Sequence, residues 1–262
     1  MAKICPLFSG SSGNSTLISG PGAEILIDAG VSAKRIKDAL ININSGAEKI
    51  NAIAVTHTHS DHIAGLKVLL KSINAPVIAS KKTISVLEKS GALDNADEVI
   101  EISESGAEIG GGLLEFFPTS HDCEGSGGYS YTFSTGKKIT VCTDLGIVTD
   151  DVRNAVKGSD ILLIESNHDI QMLKNGPYPP QLKLRILSEK GHLSNTACAS
   201  ELPFLLNNGT SRFILGHLSL HNNLPMLALS SAKASLADIG AKIDEDYILS
   251  VAKPQGNGVV TI

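Results

Sequence analysis

Apolar residues along this chain fall into short runs separated by glycine-rich or polar turns, and the runs alternate between two periodicities. Ile4 to Phe8, Thr16 to Ser19 and Ala23 to Asp28 read as strands of a meander, joined by Ser9-Gly10-Ser11-Ser12-Gly13-Asn14-Ser15 and by Pro21-Gly22. Spacing turns helical from Ser32, a candidate N-cap, to Leu40. Ile53-Ala54-Val55 is too short a run for anything but a buried strand, and a helical pattern follows it from Leu66 to Ile73. A strand is expected at Val77 to Ala79, a helix at Lys81 to Ser90 and a strand at Val99 to Ile102. Strands dominate from Leu113 to Val141, with breaks at Thr119-Ser120-His121-Asp122 and Ser126-Gly127-Gly128. Asp150 to Val156 reads as a helix, Ile161 to Ile164 as a buried strand and Asn195 to Leu206 as a helix. Phe213 to Leu215 is a strand and Leu224 to Ile239 a longer helix. With strands in two regions, helices after each, and neither repeat nor linker, the pattern predicts one α/β (α+β) domain over residues 1–262, helices covering sheets.

Composition changes this picture little. Hydrophobic residues make up 42% of the 262, enough for a sizeable core. Four cysteines (Cys5, Cys123, Cys142, Cys198) lack any C-x-x-C spacing, which fits a reducing compartment better than a disulfide framework or a zinc knuckle. The start of the chain lacks a signal-peptide pattern and no apolar run has the length of a membrane span, so a cytoplasmic protein with no membrane partner is expected. The formal net charge of −5 argues neither for nor against nucleic acid, because acidic metal ligands are neutralised when cations bind. Lys183, Arg185 and Lys190 are the basic residues nearest in sequence to His192 and the candidates for phosphate contacts. Ser9 to Ser15 lacks a Gly-Lys-Ser/Thr ending and precedes a strand, which excludes a P-loop while leaving it free to lie near a ligand.

The chemistry concentrates in Thr56-His57-Thr58-His59-Ser60-Asp61-His62, a loop between a buried strand and a helical pattern. His57 and His59 are two apart and project to one side of an extended backbone, while a turn can aim Asp61 and His62 elsewhere. Neutral imidazole and carboxylate are the standard ligands of catalytic zinc and related ions, and two pairs suit two ions better than one. His121, Asp144 and His217 each follow an apolar run at a strand end, bringing the candidate ligands to seven. Asp144 is the natural bridging carboxylate. Asp28, which ends Ile25-Leu26-Ile27, is a candidate partner for a ligand histidine.

His57-x-His59-x-Asp61-His62, followed in order by His121, Asp144 and His217, resembles the metallo-β-lactamase superfamily over essentially the whole chain. Leu7-Phe8-Ser9-Gly10-Ser11-Ser12-Gly13-Asn14, Glu165-Ser166-Asn167-His168-Asp169, Gly191-His192-Leu193-Ser194-Asn195 and Gly216-His217-Leu218-Ser219 with Asn222-Asn223 are similar to its YycJ/WalJ-type branch. The resemblance implies a four-layer αββα sandwich with a two-metal site at one edge. It also implies a hydrolase acting on DNA as a phosphodiesterase or 5′-3′ exonuclease, through attack of a metal-bridging hydroxide. Asp61 would bind a metal and orient the nucleophile. His192 lies where RNase Z-like enzymes and cyclic phosphodiesterases of phosphonate breakdown carry the histidine that protonates the leaving group. The ions implied are manganese or zinc, with iron also compatible and manganese favoured by the resemblance. Leu220 and His221 depart from the acidic residues expected in this branch, and the interval between Asp144 and His217 is too short for the inserted β-CASP domain. Three alternatives remain at this level: a small-molecule hydrolase (cyclic phosphodiester, thioester or lactone), an RNase Z-like RNA nuclease, and a non-catalytic metal-binding regulator. Oligomeric state is left open, as are the roles of His168 and His221.

Overall fold

The computed structural model describes residues 1–256 and 258–262. Strands β1 (Lys3–Phe8), β2 (Ser15–Gly20), β3 (Ala23–Ile27), β4 (Ala52–Ala54), β5 (Val77–Ala79) and β6 (Val99–Glu101) come first. They are followed by β7 (Ala107–Ile109), β8 (Gly112–Pro118), β9 (Gly127–Thr132), β10 (Lys138–Cys142), β11 (Ile161–Glu165), β12 (Arg212–Gly216), β13 (Ile248–Val251) and β14 (Val260–Thr261). The helices are α1 (Ala33–Asn42), α2 (Ser60–Ile63), α3 (Leu66–Leu69), α4 (Lys81–Lys89), α5 (Asp150–Val156), α6 (Ile170–Asn175), α7 (Pro180–Leu187), α8 (Asn195–Asn207) and α9 (Pro225–Ala237). None is long and apolar enough to cross a membrane among the described residues.

Two sheets form among the described residues, ordered β14-β1-β2-β3-β4-β5-β6 and β13-β12-β11-β10-β9-β8-β7. Each is built in two halves. Strands β1 to β3 pair antiparallel and β3 to β6 parallel; β7 to β10 pair antiparallel and β10 to β13 parallel. The alternation of side chains across a strand decides what lies between the sheets. Ile25 and Ile27 of β3 meet Ile161 and Leu163 of β11 in the central core, with Tyr129, Tyr131 and Ile139. Leu26 points outward, to Ile36 and Leu40 of α1, Leu66 and Leu69 of α3 and Leu87 of α4. Leu162 and Ile164 point the other way, toward α5, α8 and α9. Both faces of each parallel half are therefore covered, and its strands read as unbroken apolar runs. The four-layer αββα sandwich follows from that double burial.

Three expectations need correction. The helix expected from Leu66 to Ile73 shrinks to the single turn Leu66–Leu69. Gly65 sets it apart from α2 by packing against backbone: its N–H bonds the Ala29 carbonyl, and a Cβ there would meet the Val31 oxygen at 1.9 Å. Gly127 and Gly128 do not break the strands but belong to β9, opposite Pro118 and Phe117. The Phe116 and Phe117 rings occupy the space a side chain would need. The short elements β7, α6, α7, β13 and β14 lie where no periodicity announces them.

The sheets are tied together at one edge. Tyr129, fully buried, donates its hydroxyl hydrogen to the Val55 carbonyl (3.0 Å) and approaches that of Ile78 (3.3 Å), and the Gly127 N–H bonds the Thr56 carbonyl (3.2 Å). Tyr129→Phe leaves the buried Val55 carbonyl short of a donor, a loss of about 1–3 kcal/mol. In urea the midpoint of unfolding should fall while the slope stays unchanged.

Candidate metal centre

The candidate residues collect where the parallel strands of both sheets end, the position at which open α/β sheets present their loops to ligands. Asp28 follows β3, Asp144 stands two residues past β10, Glu165 closes β11 and His217 follows β12. Asp28, Asp144 and His217 have left-handed backbones, with φ of 63°, 61° and 56°. A residue other than glycine held there costs about 1–3 kcal/mol, which the surrounding packing must offset.

On the first sheet, Asp28 organises the histidine loop. Its carboxylate accepts from the Thr56 N–H (2.8 Å), the Thr56 hydroxyl (2.8 Å) and the His62 Nδ1–H (2.7 Å). Because the Thr56 hydroxyl hydrogen is committed to Asp28, its oxygen accepts from His57 Nδ1–H at 3.0 Å. One buried carboxylate thus holds both rings by Nδ1, one directly and one through Thr56, and turns each Nε2 toward the ligand cluster. Asn14 sits over the same loop. Its amide reaches His62 Nε2 (3.0 Å) and Asp61 Oδ2 (3.3 Å), while its own oxygen accepts from the Gly10 N–H (2.9 Å). Gly30 permits this approach, since a Cβ there would lie 1.7 Å from the Asp61 carbonyl oxygen.

On the second sheet, Glu165 plays the corresponding part and is wholly buried. Its Oε1 accepts from His217 Nδ1 (2.6 Å) and His192 Nδ1 (3.0 Å). Its Oε2 accepts from the Leu193 and Leu145 N–H groups (2.9 and 3.2 Å). His121 Nδ1 donates to the Gly191 carbonyl at 3.1 Å, turning its Nε2 inward.

The inward atoms form two groups. His57 Nε2 and His121 Nε2 each lie 3.2 Å from His59 Nδ1. Around the second point stand His62, Asp61 and His217, with His62 Nε2 3.6 Å from Asp61 Oδ2 and His217 Nε2 3.8 Å from the same oxygen. Asp144 lies between the groups, its Oδ2 3.3 Å from His62 Nε2 and its Oδ1 3.9 Å from His121 Nε2. Ring nitrogens and carboxylate oxygens crowd together at these distances. Asp144 Oδ2 and His217 Nε2 are buried and have no hydrogen-bond partner. Buried polar atoms without partners are costly, and a divalent cation that displaces the ring protons fits the set. The donors are nitrogen and oxygen, and no cysteine joins the clusters among the described residues.

The electrostatics carry the same signature. Burial, reinforced by the neighbouring imidazoles, pushes His57 well below the usual histidine range. Burial would also strip the proton from His62, but the charges of Asp144 and Asp28 outweigh it and hold the ring at about 9. His217 is likewise raised against its burial by Asp144, Asp61 and Glu165. Burial would raise the Glu165 carboxyl, yet His192 and His217 keep it well below the ordinary range.

All seven sequence candidates therefore converge, and His192 borders the same cleft of about 310 Å³. Asp28 is the histidine partner expected of it. His168 does not line the cleft; its backbone pairs with that of Ser194, its side chain is buried with neither ring nitrogen bonded, and burial lowers it to about 4. His221 is exposed at the surface, its ring 5.9 Å from that of Tyr178. Of the basic candidates, Arg185 borders the cleft but is paired with Asp122 (Nη2 to Oδ1, 2.9 Å), and Lys183 donates to the Lys174 carbonyl. Asn14 and Glu165 were visible in sequence only as members of motifs, without a role.

Residues 23–218 match the family model described as a beta-lactamase superfamily domain. Exodeoxyribonuclease WalJ of Streptococcus pneumoniae is 38% identical over 247 residues, which cover 92% of this chain and 91% of that protein. Exodeoxyribonuclease YycJ of Bacillus anthracis is 34% identical over 254 residues, covering 95% and 94%. Among solved structures, the metallo-beta-lactamase fold protein YhfI from Bacillus subtilis aligns over 99% of this chain and 98% of its own, with a TM-score of 0.74 at 17% identity, a likeness of fold.

Removing the Asp28 carboxylate releases two rings at once. Asp28→Ala should weaken manganese or zinc binding roughly 10- to 100-fold, the usual effect of losing a ligand's outer hydrogen bond; titration calorimetry checks it. A cation must displace the protons that His62 and His217 hold near neutral pH. Affinity should therefore rise with pH toward about 9, where His62 loses its proton unaided, and fall below it. Calorimetry in buffers of different ionisation enthalpy should register the released protons.

Proposed function

The chain belongs to the metallo-β-lactamase superfamily, in the branch of WalJ and YycJ, and we propose that it is a metal-dependent exonuclease hydrolysing phosphodiester bonds of DNA. The observation that carries this reading is a complete ligand cluster with a buried carboxylate–histidine pair beside it, in a chain 34–38% identical to two exodeoxyribonucleases over nine-tenths of its length.

Two cations, manganese or zinc, suit the two groups of donors. His57, His59 and His121 would hold one, Asp61, His62 and His217 the other, with Asp144 shared. Bound there, they supply a water acidic enough to lose its proton near neutral pH and charge to stabilise the phosphoryl oxygens. The remaining work belongs to the chain. Asp61, fixed by the Asn14 amide, orients the attacking water. His192 has its Nδ1 engaged by Glu165, so Nε2 is the nitrogen free to serve the cleft. The Glu165 carboxylate stabilises the charged ring, and Nε2 gives its proton to the departing sugar oxygen. An alkoxide leaves poorly without that proton, which is why a phosphodiesterase benefits from His192 where a thioesterase would not.

A turnover panel with manganese and zinc tests the reading: end-labelled single- and double-stranded DNA, RNA and bis-p-nitrophenyl phosphate. Release of mononucleotides from DNA is expected; turnover of RNA or the small diester with DNA left intact would overturn it. His192→Ala should retain the fold and metals and slow DNA cleavage by on the order of 10² to 10⁴. On p-nitrophenyl esters, whose leaving group needs no proton, the loss should shrink, and equal losses would remove His192 from the acid's role. Binding of a short duplex to this variant should weaken with salt, log affinity falling by about 0.9 per phosphate contact for each tenfold rise in salt.

A further inference from the structure

The cleft above the ligand cluster is not polar on all sides. Its floor is formed by Asp61, Asp144, His192 and His217, and Ser11, Asn167 and Ser219 supply hydroxyl and amide groups. Tyr178, Leu182 and Ile186 make a contrasting apolar wall, contributed by α7 and the loop before it. Phosphoryl transfer itself makes no use of such a wall, and a deoxyribose offers it only narrow C–H edges. The group that does, tethered within a few ångströms of a phosphate, is a nucleobase, whose flat faces stack on aromatic side chains whatever its sequence.

The wall is set in place before any substrate arrives. Two prolines, Pro179 and Pro180, fix the entry to α7. The Ile186 carbonyl accepts from the His192 N–H at 3.0 Å, which puts the wall in register with the proton donor. Arg185 clasps Asp122 through Nε and Nη2, and the Ser120 hydroxyl donates to the Glu189 carbonyl, tying both the helix and its exit to the His121 loop. The Tyr178 ring is half-buried and braced edge-to-face by His221, with centroids 5.9 Å apart. At about 310 Å³ the cleft is at the small end of ligand sites, suited to one nucleoside and not to a stacked pair.

We propose that Tyr178, Leu182 and Ile186 form a nucleobase subsite, which receives the unstacked base of the terminal nucleotide while its phosphate lies on the ligand cluster. The assignment rests on the phosphodiesterase reading of the site and deepens it. The substrate is a frayed chain end, released one nucleotide at a time, because the terminal base must leave its neighbour to enter the cleft.

The test uses the metal-loaded enzyme and two end-labelled DNA strands that differ only in whether the nucleotide to be released carries a base or is an abasic analogue. Wild-type kcat/KM for the abasic end should be lower by on the order of tenfold to a hundredfold, the usual worth of one base–aromatic stack. Tyr178→Ala should lose a similar factor on the normal end and cleave the two ends alike, while Tyr178→Phe keeps the wild-type preference. Equal wild-type rates on both ends would overturn the subsite and leave the nuclease reading standing. A Tyr178→Phe loss as large as that of Tyr178→Ala would also overturn it, since the hydroxyl and not the ring face would then be at work. Absence of cleavage at any DNA end would remove the nuclease reading and the subsite together. If Tyr178→Ala fails to fold by circular dichroism, the comparison of the two ends with wild-type enzyme decides alone.

Discussion

A buried carboxylate that holds imidazole rings by their outer nitrogens is the interaction on which this structure depends, and it occurs twice. Asp28, at the end of β3, governs His62 directly and His57 through the Thr56 hydroxyl. Glu165, at the end of β11, governs His217 and His192. Each sheet thus supplies one orienting carboxylate, and the rings it holds turn their remaining nitrogens toward the ligand cluster and the cleft above it. Neither carboxylate could be buried here without these donors, and neither set of rings would keep its orientation without the carboxylate.

The sandwich exists, in this view, to bring those two ends to the same place. Parallel strands place their carboxyl ends on one edge, and two sheets packed through Ile25, Ile27, Ile161 and Leu163 put their edges side by side. The left-handed turns at Asp28, Asp144 and His217 then bend each chain back over the edge immediately after its strand. Strain of this kind persists only where packing over-determines it, and all three residues are almost fully buried. Asp144, shared between the groups of donors, is the point where the two halves meet.

The segment carrying α7 has a different character. It is fastened to the His121 loop by Arg185–Asp122 and by Ser120, and to the His192 backbone by Ile186. Arg185, one of the three basic residues named in the sequence as candidates for phosphate contacts, is therefore neutralised by a carboxylate, and its structural work is to hold a wall. An acidic overall charge and a paired arginine are compatible with a nuclease, since cations on the cluster and an apolar wall can hold the end of a strand without a basic track.

Much of this was determined by the sequence alone. Short apolar runs bounded by turns located most of the long strands, and seven residues of ligand type just past strand ends marked the cluster. That was possible because burial and metal ligation both constrain residue type at each position, and type is what a sequence records. Tertiary structure decided the rest. Gly127 and Gly128 look like a turn until the Phe116 and Phe117 rings are seen above them, and Gly65 cuts a helix short by touching the Val31 backbone. Glu165 and Asn14 acquire roles only when residues 52 and 47 positions away arrive beside them. Which nitrogen of His62, His121 and His217 faces inward is likewise set by a partner distant in sequence. A residue's identity is local, but the hydrogen bond that gives it a task is made across the fold, and only packing brings its two ends together.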